Sequence, residues 1–439
     1  MSLVEQVRDA GVVGAGGAGF PTHVKLQGRA EVVVANGAEC EPLLHKDGIL
    51  LEHEAARIVE GLQQTMRAVG ASRGWVALKR KNVVAVDAVR AAVRGSDIGV
   101  FLLGDFYPAG DEFVLVHEVT GRLIPAGGLP LHVGCLVQNV ETLVNIAKAA
   151  SGQPVTEKVI TVAGAVGEPT TMVVPLGTML GACLEAAGGS MVSDPVLFVS
   201  GVMMGEVSTS LDTPVTKTTS GVVVLAADHP VAQRRAVPAQ SRRAIGRSAC
   251  DQCRYCTEYC PRYLLGYGIE PHLVMRGLGF NLAGETSWNA WAGLCCACGL
   301  CTWYACPEGL FPKEACDDAR AELKRMGWKP DGKAPLAPHP MHDGRRVPTQ
   351  GLLRRLHLQY FDRPAPLKRD KVHPQRVELR LKQSTGAPAV PVVGSGAEVR
   401  LGALVAEPLP GTLGARLHAT IAGTVLSISQ ESMVIQQHL

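Results

Sequence analysis

Two textures of apolar spacing share the first 150 residues. GILLEHEAARIVEGLQQTMRAVG (48–70) and VDAVRAAVRG (86–95) place their apolar side chains at helical intervals, which predicts helices. EVVVANG (31–37), GWVALKR (74–80) and IGVFLLG (98–104) are short apolar runs bounded by glycine or charged residues, which predicts strands. Ser2 and Glu5 have capping-box spacing ahead of a short helix that stops near Gly11. Alternating strands and helices predict an α/β unit over residues 1–150.

The pattern changes after SGQP (151–154). KVITVAGAVGEPTTMVVPLGTMLGACLEAAGG (158–189) reads as strand, turn, strand and a short helix closed by glycines, and DPVLFVSGVMMG and SGVVVLAA follow as strands. A small α+β domain over 151–235 fits. QRRAVPAQSRRAIGR (233–247) reads as a basic connector whose arginines, Arg234, Arg235, Arg242, Arg243 and Arg247, face solvent. A cysteine-rich block fills 240–330. A Pro-rich linker with one short helix, GLLRRLHLQYF, spans 331–372, and short strands broken by glycine and proline form an all-β unit over 373–439.

At 439 residues, 46% hydrophobic and 19% charged, the chain can bury several cores. A net charge of +3 gives no electrostatic case for nucleic acid. No apolar run approaches the roughly 20 residues that span a bilayer, and MSLVEQVRDAG has neither the basic start nor the apolar centre of a signal peptide. The expectation is a soluble, cytoplasmic protein. The 13 histidines show no ligand spacing.

Ten of the thirteen cysteines lie between Cys250 and Cys316. CDQCRYCTEYCP gives Cys250-x2-Cys253-x2-Cys256-x3-Cys260-Pro261, the bacterial ferredoxin run for a [4Fe–4S] cluster. CCACGLCTWYACP gives Cys295-x2-Cys298-x2-Cys301-x4-Cys306-Pro307, one residue longer in its last gap. In two-cluster ferredoxins the fourth cysteine of each run serves the other cluster, which assigns Cys260 to the second and Cys306 to the first. Zinc needs four ligands and gains nothing from the third x2-spaced cysteine or the following proline. Cys296 and Cys316 are left as bystanders.

GVVGAGGAGFPTHVKL (11–26) contains Gly14-x-Gly16-x-x-Gly19, the spacing of a dinucleotide fingerprint. A Rossmann loop follows a strand and opens a helix. Here a capped helix precedes the loop and the first strand follows it, while the acids some 20 residues on, Glu39 and Glu41, sit in a turn. The reading is a different glycine loop, whose bare backbone can approach a phosphate or a flat ring.

GAGGAGFPTHVKL, NGAECEP (36–42), YPAGDE (107–112), TGRLIPAGGLPLHVG (120–134) and QNVETL (138–143) together resemble the flavoprotein subunit of respiratory complex I and, more closely, the RnfC family. In those proteins these loops bind FMN and receive hydride from NADH. VPLGTMLGACLEAAGG resembles their β-grasp SLBB domain. RnfC proteins begin with a barrel-sandwich domain, whereas here a similar stretch, GAEVRLGALVAEPLPGTLGARLHATIAGTVLSI, comes last. That order, with CDQCRYCTEYCPRYLLG, resembles PduS-type cobalamin reductases of propanediol-utilisation microcompartments. The last stretch is also similar to lipoyl carriers, but HATIAGTV has no lysine to carry the arm.

The resemblance implies the following roles. Gly16, Gly17 and Gly19 line the flavin; Lys25 neutralises its phosphate or reduced ring; Asn36 and Asn139 hydrogen-bond it; Thr142 adds a phosphate contact; Phe20 stacks on the nicotinamide nucleotide. Glu39, Glu41 and Glu112 are the acids of the NADH site, with Asp111 beside them. Where the complex I motif reads NADEGEP, this chain has Ala38 and Cys40, which puts the choice between NADH and NADPH in doubt. The implied cofactors are FMN and two [4Fe–4S] clusters, with NADH as donor and cobalamin as acceptor. The implied partners are a corrinoid adenosyltransferase and microcompartment shell proteins, with no nucleic acid and no transmembrane segment. An RnfC-like protein passing electrons to ferredoxin or quinone, and a non-catalytic electron relay, are the alternatives.

Overall fold

The computed structural model describes residues 1–280 and 285–438. It begins with α1 (Leu3–Asp9), capped reciprocally by Ser2 and Glu5, and α2 (Thr22–Lys25), with the glycine loop between them. Then come β1 (Val32–Gly37), α3 (Lys46–His53), α4 (Ala55–Val69), β2 (Arg73–Lys79), α5 (Val83–Ala92), β3 (Ile98–Leu103), the two-residue β4 (Phe106–Tyr107), α6 (Glu112–Thr120), β5 (Cys135–Asn139) and α7 (Val140–Ala150). The stretch expected as one helix over 48–70 is two, because Glu54 at φ −122° and ψ 19° interrupts it. Apolar periodicity is blind to a single-residue break, and this one lets α3 point its first turn at the site described below.

β3, β2, β1 and β5 form a parallel sheet in that spatial order. The order reverses at β1, whose successor along the chain lies on one side and β5 on the other. Ligands of open parallel sheets bind outside the carboxyl ends of the strands at such a point. Alternation along β1 divides the core: Val33 and Ala35 pack with α4 and α7, while Val32 and Val34 face α6 and the cysteine-rich module.

The second unit is a mixed five-stranded sheet in the order β7-β6-β10-β8-β9: β6 (Glu157–Gly164), β7 (Thr170–Pro175), β8 (Pro195–Val199), β9 (Glu206–Ser208) and β10 (Gly221–Ala226), covered by α8 (Leu180–Ala186). The basic connector is helical, α9 (Pro230–Ala236) and α10 (Ala239–Ala249), and only partly solvated. Arg234 stacks on Trp303 and Phe311 and donates to the Thr302 and Leu310 carbonyls; Arg235 stacks on Trp303 and donates to the Val202 and Met203 carbonyls. These two arginines are packing elements, which corrects the expectation of a wholly solvated charge run; guanidinium planes stack well on aromatic rings, which residue counts do not reveal.

The cysteine module is built of short helices: α11 (Tyr255–Glu258), α12 (Pro261–Leu264), α13 (Pro271–Gly279), α14 (Thr286–Asn289) and α15 (Pro312–Arg325). The extra residue in the second run is absorbed as a π turn over Cys301–Ala305, the usual form of a one-residue insertion in a helix. Within 331–372, β11 (Val347–Pro348) pairs with β4 and leads into α16 (Thr349–Arg355), so this Pro-rich segment is tied to the first unit. Two small antiparallel sheets make up the C-terminal unit, and Val377, Val425 and Ile435 join the same core as α4 and α7.

Candidate functional site

β1 and β5 run side by side, and Asn36 and Asn139 are register partners at their carboxyl ends. Asn139 also caps α7, accepting from the Glu141 backbone N–H, so its side chain and the positive end of an 11-residue helix face the same space. The glycine loop lies across it. Ala15 N–H donates to Thr142 Oγ1 at 2.9 Å, and a Cβ on Gly16 would sit 3.4 Å from the Asn139 Cβ. Gly16, Gly17 and Ala18 are exposed, and Gly17 adopts φ +116°, where an added Cβ would meet nothing within 4 Å. Gly19 is different. It is buried against Thr218, and its carbonyl, with that of Ala18, accepts from Thr385. The second and last units therefore brace a loop whose cleft side stays bare.

A buried charge network holds the floor. Lys46 and Asp47, from the first turn of α3, meet Glu141 from α7 and Lys158 from β6. Asp47 Oδ2 accepts from Asn139 Nδ2 at 2.9 Å, the Asp47 N–H donates to Glu39 at 2.6 Å, and Lys158 Nζ donates to the Ala15 carbonyl at 3.2 Å. Burial disfavours the charge on Glu141, but Lys158 and Lys46 overcome that and lower its pKa. Burial likewise opposes the charge on Lys46, and Asp47 and Glu141 more than offset it. Lys158 ends near pH 8, because desolvation outweighs its acidic partner. The network holds three acids (Glu39, Asp47, Glu141) and two lysines, which favours one retained proton. Desolvation, with the Asp47 charge second, raises Glu39 to about 7. Desolvation also raises Glu41 to about 8, although the Met203 N–H donates to it.

The acids named in the sequence divide. Glu39 and Glu41 flank Cys40 in the turn after β1, each only partly covered, as cleft-lining residues are. Glu112 instead pairs with Lys25 at 3.1 Å, and Lys25 also donates to the Val137 carbonyl. Asn36 is held by the Gly110 carbonyl, and a Cβ on Gly110 would lie 3.4 Å from Cys40 Sγ. Phe20 is half-buried beside Gly14. Lys46, Asp47, Lys158, Thr218 and Thr385 were not legible in the sequence. LLHKDGILLEH reads as an ordinary helix start, and Lys158, Thr218 and Thr385 come from other units. The bare glycine backbone and the helix end suit FMN with its phosphate and flat ring.

The cysteines form two sets. Cys250, Cys253, Cys256 and Cys306 line one shared space. Cys260, Cys298 and Cys301 lie together, with Cys295 packed beside Cys260. Cys296 and Cys316, set aside in the sequence reading, are in contact with this second set. Cys316 lies beside Cys295, and Cys296 lies beside Cys298 and Arg262. Residue spacing could not place Cys316, which arrives on α15. Among the described residues no three cysteine sulfurs lie within 4.8 Å of one another. A tetrahedral zinc site with bonds of ~2.3 Å needs sulfurs that close, and a four-iron cage suits the wider spread.

The fold does bring one histidine group together. His117, Glu118 and His342 bring donor atoms within 4.8 Å, a convergence of α6 with the segment before β11. Arg346 occupies that space: it forms an ion pair with Glu118 and its Nη2 lies 3.4 Å from His342 Nδ1. A cation there would face a guanidinium.

Family comparisons agree with this layout. Residues 7–148 match the Nuo51 FMN-binding domain, 249–311 the 4Fe-4S dicluster domain and 365–439 the RnfC barrel sandwich hybrid domain. Cobalamin reductase PduS of Salmonella typhimurium is 42% identical over 98% of this chain and 95% of its own length. A component of the proton-translocating ferredoxin:NAD(+) oxidoreductase complex of Clostridium ljungdahlii is 34% identical over 59% of this chain and 55% of its own. Among solved structures, an NAD+-reducing [NiFe]-hydrogenase in the H2-reduced state overlaps at a TM-score of 0.49 and 20% identity, covering 75% of this chain and 63% of that one. A match of this extent, on a chain with Nuo51 FMN-binding and 4Fe-4S dicluster domains, places the protein in the PduS cobalamin reductase family.

Proposed function

We propose that this chain is an NADH-dependent flavo-iron–sulfur oxidoreductase that delivers single electrons to cobalamin, cob(III)alamin to cob(II)alamin to cob(I)alamin. Bound FMN supplies the conversion between a two-electron hydride and single electrons, which iron–sulfur clusters can carry. The observation that carries the reading is the join between cleft and cysteines: the Tyr107 hydroxyl, buried between them, donates to the Cys298 carbonyl at 2.7 Å.

The chain's own residues take distinct parts. Gly16 and Gly17 leave room for a flat ring or phosphate, with Gly19, Asn139 and Thr142 setting the loop's height. Asn36, held by the Gly110 carbonyl, and Asn139, held by Asp47, fix the strand ends that would sit under the ring edge. Lys25, tethered by Glu112, supplies positive charge beside the cleft. Glu39 and Glu41, raised to about 7 and about 8, carry less negative charge near neutral pH than ordinary glutamates, which weakens their repulsion of the diphosphate of NADH. Glu112 supports Lys25 and reaches the nucleotide only through it. Phe20 supplies an apolar face at the rim. Cys250, Cys253, Cys256 and Cys306 would hold one cluster, and Cys260, Cys295, Cys298 and Cys301 the other. The five segments 1–150, 151–235, 240–330, 331–372 and 373–439 then serve as flavin domain, SLBB-type β-grasp, cluster domain, connector and barrel sandwich.

No helix among the described residues is long and apolar enough to cross a membrane. A place in a bacterial microcompartment, beside a corrinoid adenosyltransferase and shell proteins, follows from the likeness to PduS. Anaerobic NADH titration of the iron-, sulfide- and FMN-loaded protein tests the reading. Flavin bleaching, then cluster reduction, then cob(II)alamin consumption is expected; a stable oxidised flavin in the presence of NADH overturns it.

A further inference from the structure

The two cysteine sets have unlike surroundings. The second set is pressed against the flavin unit. Cys298 shares an apolar cluster with Tyr107 and with Cys40 of the Glu39–Glu41 turn, and Cys260 and Cys295 share one with Val32, Val34 and Phe106. Arg262, two residues after Cys260, pairs with Asp111 at 2.8 Å and stacks on Phe113 at 3.5 Å. Cys260, Cys298 and Cys301 are buried. The first set lies apart: every residue lining its space belongs to 250–312, and Cys253 is exposed. The sets adjoin through α11, which carries Cys256 and packs against the π turn begun by Cys301.

We propose that Cys260, Cys295, Cys298 and Cys301 form the entry site for electrons leaving the flavin cleft, and that Cys250, Cys253, Cys256 and Cys306 form the exit site to the acceptor. This order rests on the functional reading above. Electron tunnelling falls steeply with distance, so the set that touches the cleft receives first and the set that reaches solvent delivers last. Each NADH converted to NAD+ gives up a hydride; its two electrons pass one at a time through both sites to two one-electron reductions of corrinoid cobalt, and one proton goes to solvent. The Cys256–Cys301 junction is the crossing point, and the acceptor meets the face around Cys253.

The test uses the full-length, anaerobically loaded protein. Dithionite-reduced samples are examined by electron paramagnetic resonance with and without a dysprosium chelate confined to solvent. The chelate is expected to speed the relaxation of one cluster signal; Cys253→Ala deletes that signal and Cys298→Ala deletes the shielded one. Serine variants, which shift a signal instead of removing it, give the same assignment where an alanine variant loses both clusters. On mixing with NADH, Cys253→Ala still reduces its remaining cluster, whereas Cys298→Ala bleaches its flavin and leaves the remaining cluster oxidised. A chelate effect on the signal lost in Cys298→Ala, or cluster reduction by NADH in that variant at the wild-type rate, overturns the order. If NADH fails to bleach wild-type flavin, the functional reading fails, and the dithionite arm still decides which set faces solvent.

Discussion

The flavin cleft and the cysteine module solve the problem of holding a redox group in opposite ways. The strand ends, the capped helix and the Lys46–Asp47–Glu141–Lys158 network are held together by the polypeptide's own contacts. The module has short helices, two small apolar clusters of its own and several thiols that burial pushes up, to about 12 at Cys256 and well above the usual thiol range at Cys260, while Cys316 holds Cys295 down to about 7. Thiols held protonated by desolvation bind metal only by giving up those protons, so metal and fold are coupled in the module. The same contrast explains why a lysine from β6 can be spent on the floor of the cleft, while the module borrows Arg234 and Arg355 to sit over its own backbone carbonyls.

Iron removal should have the largest effect and separate the two regions most clearly. Chelation under anaerobic conditions is expected to abolish amide-exchange protection across 249–311 while β1, β2 and α4 keep theirs; equal loss in both regions would deny that only the module depends on metal. Next is Glu141→Ala, which leaves Lys46 and Lys158 buried without their shared carboxylate and should cost about 3–5 kcal/mol in denaturant unfolding. FMN affinity should fall with it, since Lys158 under the Ala15 carbonyl and Lys46 beside Asp47 lose the carboxylate that positions them. Arg262→Ala removes the ion pair to Asp111 and the stack on Phe113, for a cost of about 2 kcal/mol. Its sharper readout is slower cluster reduction after flavin bleaching, because the module then rests less firmly on the cleft.

The smallest effect is a pH dependence. Lys217 is 2% exposed, its Nζ donates to the Gly11 and Arg416 carbonyls, and desolvation lowers its pKa from 10.5 to about 7. Between those values the unfolded chain binds the proton more fully, so this lysine makes stability rise with pH from about 7 to 10.5 and has no slope below 7. Wild type is expected to gain on Lys217→Met by about 1 kcal/mol from pH 7 to pH 8. A constant difference across that range would show that Lys217 keeps its charge at the three-unit junction.

The local code of this chain was open to reading. Cys250–Cys260 and Cys295–Cys306 announce their ligand by spacing, because a metal cluster takes its donors from a loop a few residues long. The strands around EVVVANG follow from apolar runs, and rejection of a Rossmann loop at Gly14–Gly19 follows from the order of elements, which the structure bears out. Long-range placement was not open. Lys158, Thr218 and Thr385 come to the glycine loop from units that begin more than a hundred residues later, and Cys316 meets Cys295 on a helix outside the run. Nothing in their neighbours in sequence marks them, because their role is to satisfy buried charge or carbonyls supplied by another unit. Sequence alone determined which cofactor chemistry the chain can hold, since ligand spacing and backbone freedom are local. Only the tertiary structure decided which cysteine set touches the flavin cleft and which reaches solvent, since that depends on how separately folded surfaces pack.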